Sequence, residues 1–483
     1  MDVVSVQTAR AAASRDRWPW RQRDLPGTRG LIGQMAAAPT ISVAAASAYG
    51  AGATATAWNA PGAYTFTGCA PKIGTVFPDT LSCGSGGYSV SGTSASPYQI
   101  SFEIETTDAT GRFEIHLKPV SSKVRIAVAT PDRKDFQYAG IFNAGTGGDS
   151  YTLVTMGAPG NYLVRLECDS NVRFYGVIVN ATDTIRSLRG PSRRLIVLGD
   201  SYTEPTVVDS NTFCQGMGWV QQIGLMIGAD AWSCGAGGTG YLATNTGTRP
   251  TFRGRLQDVI DNYRTGDEVW VAGGINDYSL FTAAQIGAEA DLLFAAIKAG
   301  CPGVTLRVLS PFYSKQAASF PAGLLAAADA IKTSATAAGA RFVDVLRLPH
   351  PNAAISTTLA ASSAVNATSF STAVPIPQGT YVQIGTGTTA EIRVTNGVSG
   401  SGPYTISLSG SGDGFALLQA HNSGEAVVTS GRCFLTGAGR QGATSGSGNA
   451  DRYVGSDSTH PTGPGHLNIA MNVFWAFGHV IYG

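Results

Sequence analysis

Hydrophobic and polar residues alternate through much of the first third of the chain. Tyr98-Gln99-Ile100-Ser101-Phe102-Glu103-Ile104 and Arg112-Phe113-Glu114-Ile115-His116-Leu117 place an apolar side chain at every second position, as do 123–128, 161–166 and 174–179. Period two is the mark of a strand with one buried face. Gly- and Ser-rich stretches separate the runs and supply turns. Such a meander predicts a jelly-roll-like β-sandwich over residues 39–185.

At Leu195 the pattern changes. Leu195-Ile196-Val197-Leu198 and Val269-Trp270-Val271-Ala272 are short, wholly apolar runs ending in Gly, as strands covered on both faces should be. Residues 304–309 and 342–345 read as further strands. Helix-forming segments lie between and after them, at 215–227, 252–263, 283–299 and 324–337, and 466–481 closes the chain as an amphipathic helix. Strands alternating with helices predict an α/β unit, a parallel sheet with helices on both faces, over 193–349 and 452–483. Residues 186–194, with Gly190 and Pro191, read as the linker into it. Residues 350–451 return to period two at 381–384, 390–394 and 404–408, which predicts a β-rich insertion. It directly precedes the C-terminal segment, so it is expected beside any site that segment carries, as surface decoration or as a lid.

Charge and cysteine content narrow the functional classes. Lys and Arg number 33 against 32 Asp and Glu, a net charge of +1, which leaves no basic field for nucleic acid or an anionic membrane. No apolar run is long enough to span a bilayer. Residues 1–38 carry Arg, Trp and Pro without an uninterrupted apolar stretch, and read as a flexible tail rather than a secretory leader. Only 13% of residues are charged and small residues abound, which suits an extracellular, cell-surface or virion-associated protein. Cys69 with Cys83, and Cys214 with Cys234, are candidate disulfide pairs, while Cys168, Cys301 and Cys433 read as single buried thiols. No Cys or His spacing suits a metal, and none is expected.

The candidate chemistry lies in four loops. Gly199-Asp200-Ser201-Tyr202 follows the first apolar run. Ser233-Cys234-Gly235-Ala236-Gly237-Gly238-Thr239-Gly240 is rich in glycine. Gly273-Gly274-Ile275-Asn276-Asp277 follows the second apolar run, and Asp457-Ser458-Thr459-His460 lies near the C-terminus. Loops after parallel strands open onto one crevice, where ligands bind in open α/β sheets. A serine after a strand is also a common helix N-cap, so the tripeptide alone decides little. The other loops add what a serine nucleophile requires. Its oxygen needs a base within reach, and the base needs a group to hold its tautomer. Asp457 stands three residues before His460. Of the other histidines, His116 sits in a predicted strand, His350 and His421 lack such a carboxylate, and His466 and His479 belong to the closing helix.

In this order the four blocks resemble the SGNH/GDSL hydrolases. The resemblance implies a flavodoxin-like three-layer domain and a serine esterase without metal or organic cofactor. It assigns Ser201 as nucleophile, His460 as base and Asp457 as its orienting carboxylate. The Ser201 N–H, the Gly238 N–H and the Asn276 amide become oxyanion donors, with Gly237 as the alternative glycine. Asp200 and Asp277 become supporting residues that tie their loops. A β-sandwich ahead of the hydrolase resembles the two-domain carbohydrate acetylesterases, which implies removal of acetyl or other short acyl groups from a polysaccharide. The expected partner is therefore an acylated carbohydrate or a small ester, and Trp58, Tyr64 and Phe66 are candidates to stack on sugar rings, with packing in the sandwich core as the alternative for any one of them. Two other readings stay open. One is an esterase of lipids or other small esters with 350–451 as lid. The other is a phage-type or surface polysaccharide-binding protein with ancillary deacetylase activity.

Overall fold

A computed structural model describes residues 39–68, 80–83, 97–118, 123–130, 137–143, 148–168, 172–188, 193–204, 218–245, 249–313, 320–347, 355–377, 380–408, 416–429, 439–443 and 450–481. The N-terminal tail, Gly190, Pro191, His350, Cys69, Cys214 and Cys433 lie outside the described residues.

The alternating runs of the first third form strands, among them Gln99–Thr106, Arg112–Lys118, Lys123–Ala129, Gly160–Cys168 and Val172–Val179. They sort into two antiparallel six-stranded sheets. In one, Arg112–Lys118 lies between Ser150–Thr155 and Val172–Val179. In the other, Gly160–Cys168 lies between Gln99–Thr106 and Lys123–Ala129. Inward alternates of both sheets meet in one core: Phe113, Ile115 and Val177 from the first, Phe102, Ile126 and Val164 from the second. Tyr64 belongs to this core, edge-on to Phe102 and Phe174 at centroid distances of 5.6 and 5.2 Å. Trp58 and Phe66 pack against the same cluster. Of the two readings open for these aromatics, the core one holds for Tyr64, while Trp58 and Phe66 pack against the core and stay partly exposed.

The outer face of the second sheet is also covered. Ala127, Ala129 and Leu163 pack on Leu225, which belongs to helix α1 (Trp219–Ile227) of the following unit. Arg125, Arg165 and Glu167 share that face by alternation and form a buried ion cluster. The Asp230 carboxylate accepts the Gly68 N–H at 2.7 Å.

The apolar runs after Leu195 build a five-stranded parallel sheet. Numbered within this unit, its strands are β1 (Arg194–Gly199), β2 (Asp230–Gly235), β3 (Glu268–Ala272), β4 (Thr305–Leu309) and β5 (Arg341–Val343). Their order is 2-1-3-4-5. The remaining helices are α2 (Leu256–Asn262), α3 (Ala283–Gly300), α4 (Ala322–Ala337), α5 (Ala450–Tyr453) and α6 (Gly463–Ile481). Leu195, Val197 and Trp270 meet α1 and α6 on one face. Ile196, Leu198 and Val271 meet α2, α3 and α4 on the other. Each strand thus buries both sets of alternates, and this is why its sequence is apolar throughout. Helix α3 starts where Thr282 and Gln285 cap each other in a capping box. The last strand is shorter than 342–345 predicts. Asp344 turns the chain out of the sheet, its carboxylate accepting the N–H groups of Leu346 and Arg347 and the Arg347 Nε–H. Strand order reverses between β1 and β3, so the crevice outside their carboxyl ends is the switch point of the sheet.

Between β5 and α5 lies a fourth sheet of six strands, from Ser356–Thr358 to Ala426–Thr429, with its own core of Phe370, Val382, Ile406 and Val427. Ile392 leaves that core and packs into the α1/α6 layer together with Tyr453 of α5. Beside it His421 is buried, bonded to Glu391 at 2.9 Å and Glu425 at 2.8 Å. Burial disfavours the imidazolium, but the two carboxylates outweigh it and raise the His421 pKa.

Candidate active site

β1 delivers Ser201 into the crevice through a turn folded tightly over the sheet. The N–H groups of Thr203 and Glu204 both donate to the Asp200 carbonyl, at 3.1 and 2.9 Å. The fit depends on side chains that are missing. A Cβ on Gly199 would stand 2.2 Å from Thr203 Oγ1, and one on Gly235 would stand 2.1 Å from the Glu204 nitrogen. Glycine at both strand ends therefore lets the Ser201 turn sit directly on β1 and β2. Ser201 itself is 8% exposed. Among the described residues neither its hydroxyl nor its N–H has a hydrogen-bond partner.

The Gly-rich loop after β2 runs beside Ser201, and a Cβ on Gly237 would lie 3.5 Å from that of Ser201. The two candidate glycines differ in kind. The Gly237 N–H donates to Glu204 Oε2 at 2.5 Å, so it is engaged. Gly238 has φ +74°, the left-handed region that glycine favours, and its N–H has no partner among the described residues. Asn276, after β3, donates one amide N–H to the Thr239 carbonyl at 2.9 Å. A primary amide carries two such hydrogens, so one remains for a ligand.

Asp200 and Asp277 lie behind these loops. Asp277 accepts three backbone N–H groups, from Tyr241 at 3.0 Å and from Leu242 and Ala243 at 2.8 Å each. Burial still pushes its pKa upward against those donors. Asp200 accepts the Tyr202 N–H at 3.0 Å, and burial pushes its carboxyl up to about 7. Arg255, also buried, spans the same layer. It donates to the carbonyls of Gly199, at 2.5 Å, and Cys234, and to Thr239 Oγ1 at 3.2 Å. Burial lowers the Arg255 pKa to about 10, which leaves it a cation at neutral pH.

His460 and Asp457 share one short loop before α6. His460 Nδ1 meets Asp457 Oδ2 at 2.5 Å, and the other carboxylate oxygen accepts the N–H groups of Thr459 and His460 at 2.9 Å each. Ser458 takes φ +61° to close this turn. Partial burial works against the Asp457 charge, but the His460 ring and the two N–H groups hold its pKa below the ordinary carboxylate range. The loop is tied to the Ser201 turn by Tyr202, whose hydroxyl donates to the Thr459 carbonyl at 2.7 Å and whose ring centroid is 5.9 Å from that of His460. Tyr202 thus links the loops that carry Ser201 and His460, and no hydrogen bond joins those two residues among the described residues. In an unliganded site such a bond is often long and closes only around the substrate.

Sequence reasoning missed four residues of this layer: Tyr202, Glu204, Asn245 and Arg255. Tyr202 and Glu204 adjoin the Gly-Asp-Ser block, so proximity could have flagged them. No local pattern marks Arg255 or Asn245. Among the described residues, no group of three or more His, Cys, Asp or Glu side chains is placed to hold a metal ion, and no helix is long and apolar enough to cross a membrane.

No family model matches the chain, and no curated protein sequence does. Several solved structures are similar to it. A family two carbohydrate esterase from Cellvibrio japonicus is 14% identical, with 65% of this chain and 91% of that chain covered and a TM-score of 0.44. A family two carbohydrate esterase from Clostridium thermocellum in complex with cellohexaose is 13% identical, covering 58% and 88%, also at 0.44. An acetyl xylan esterase from the rumen bacterium Butyrivibrio proteoclasticus is 12% identical, covering 61% and 89%, at 0.42. Likeness this low fixes neither activity nor substrate.

Proposed function

We propose that this chain is a serine ester hydrolase of the SGNH/GDSL kind, acting on short acyl esters of a polysaccharide. The observation that carries the reading is the Asp457–His460 bond in a loop that Tyr202 ties to the Ser201 turn. In this reading His460 Nε2 accepts the Ser201 proton as Oγ attacks the acyl carbonyl. The tetrahedral oxyanion is held by the N–H groups of Ser201 and Gly238 and the remaining Asn276 amide hydrogen. Collapse expels the sugar alkoxide, which takes the proton from His460 and leaves an acyl-serine. Water then attacks that ester with His460 again as base, releasing the carboxylic acid and free Ser201. Asp457 keeps Nδ1 protonated, so that Nε2 faces the nucleophile.

A short acyl group is favoured by the walls beside Ser201. The Gly237 backbone, with the Glu204–Arg249 ion pair behind it, stands close to Ser201 and leaves little room on that side. We read the two antiparallel sheets as a β-sandwich accessory unit that places a polymer, and the protein as working outside the cytoplasm. The test has two arms. A fluorophosphonate should label Ser201 stoichiometrically, and acetate should be released from one or more of a panel of acetylated polysaccharides. Activity rising with chain length on p-nitrophenyl esters would instead favour a lipid esterase. Absence of both labelling and turnover would remove the esterase reading altogether.

A further inference from the structure

The loop carrying Gly238 is held from both sides. Glu204 Oε2 accepts the Gly237 N–H at 2.5 Å and also the Arg249 Nη1–H at 2.6 Å. Asn245 Nδ2 donates to the Gly237 carbonyl at 3.0 Å. That carbonyl and the Gly238 N–H belong to one planar trans peptide, so they point in opposite directions. Fixing the carbonyl on Asn245 therefore fixes the direction of the Gly238 N–H, while Glu204 fixes the peptide before it. Glu204 is itself anchored in the nucleophile turn, its N–H donating to the Asp200 carbonyl at 2.9 Å. A carboxylate on the Ser201 turn thus sets the geometry of the Gly-rich loop opposite.

We propose that Glu204 and Asn245 are positioning residues for the oxyanion site, aiming the Gly238 N–H through the two peptide groups of Gly237, with Arg249 holding the Glu204 carboxylate in place. The proposal rests on the esterase reading above. Neither side chain need touch the substrate. The clamp matters because a preorganised donor strengthens its bond only as the oxyanion forms, so that misdirecting it lowers kcat rather than ground-state binding.

The test is kinetics on p-nitrophenyl acetate, with active sites counted by fluorophosphonate titration. Glu204→Ala and Asn245→Ala should each lower kcat per titrated site by about ten- to hundredfold, with KM changed less than about twofold. Glu204→Gln keeps an oxygen that accepts the Gly237 N–H, and should return kcat to within about threefold of the parent. A boronic acid that mimics the tetrahedral adduct should bind the two alanine variants more weakly by a factor similar to the loss in kcat. Losses confined to thermal stability or to the titratable fraction, with kcat per site intact, overturn the clamp and leave the esterase reading standing. An inactive, unlabelled parent chain overturns both. Failure of Glu204→Gln to recover activity overturns the role given to the Gly237 N–H bond.

Discussion

The Tyr202 hydroxyl donates to the carbonyl of Thr459 at 2.7 Å, so the residue after the candidate nucleophile holds the residue before the candidate base. The two are 257 positions apart in the chain. Tyr202 is otherwise buried in the α1/α6 core, stacked on Phe312 at a centroid distance of 5.7 Å. The core of the α/β unit thereby sets the position of the Asp457–His460 loop. Tyr202→Phe removes only the hydroxyl. A single neutral hydrogen bond is worth about 1 kcal/mol, so kcat should fall about five- to tenfold with little change in KM. An unchanged rate would show that the loop holds its place without this bond.

Ser201→Ala should abolish ester hydrolysis, by at least about a thousandfold, and leave thermal unfolding nearly unchanged. The hydroxyl has no partner among the described residues, so little structural energy depends on it. Turnover by the mutant at the parent rate would remove Ser201 from the chemistry.

Asp457→Asn should lower the rate less than His460→Ala. The asparagine can still accept the N–H groups of Thr459 and His460, so the loop persists while the imidazole loses its carboxylate. Equal, complete loss in both would mean that Asp457 does more than orient the ring. Unchanged rates in both would take the loop out of the site.

Asp200 gives a pH dependence of stability with a definite sign. Its carboxyl is raised by burial from 3.8 to about 7. Between those values the unfolded chain has lost the proton while the folded chain keeps it. Folding then binds a proton, and stability from this group falls as pH rises from about 4 to about 7, with no further change above. Asp200→Asn keeps the acceptor for the Tyr202 N–H and cannot ionise. Relative to the parent, its denaturation midpoint should therefore improve progressively across that window and then level off. A difference that does not vary with pH would show that Asp200 ionises normally in the fold.

What the sequence revealed divides along a physical line. Ser201, Asn276 and His460 could be picked out because each sits in a short contiguous block at a strand end or tight turn, where local chain geometry leaves few residue types. The strands of the parallel sheet were legible for a related reason, since burial on both faces demands uninterrupted apolar runs. Arg255 and Asn245 were not, because their partners are backbone carbonyls brought near only by the tertiary fold. Tyr64 and Phe66 could be read two ways. They stand two apart, Tyr64 just before the strand Thr65–Thr67 and Phe66 within it, so an extended chain puts them on one side. As aromatics they suit either a sugar platform or a sandwich core, and packing puts Tyr64 in the core and Phe66 against it.

The two antiparallel sheets make a final test possible, because they meet the α/β unit away from the candidate site. They touch it, among other places, through the packing of Ala127, Ala129 and Leu163 on Leu225 and the bond from the Gly68 N–H to Asp230. Among the described residues, no hydrogen bond or ion pair joins Ser201, Gly238, Asn276, Asp457 or His460 to those sheets. A chain beginning near Leu188 loses the cover over Leu225. Burying a leucine contributes about 1.5–3 kcal/mol, so the truncated chain should unfold at a lower temperature. Its turnover of a small soluble ester should nevertheless stay within about threefold of the parent, because the loops carrying Ser201, Gly238, Asn276 and His460 are built by the parallel sheet, α6 and Tyr202. On an acetylated polymer the rate should fall much further if the sheets hold the chain of sugars. Proportional loss on both substrates in a folded truncation would mean that the sheets help to build the site, and would end their reading as a separate placement unit.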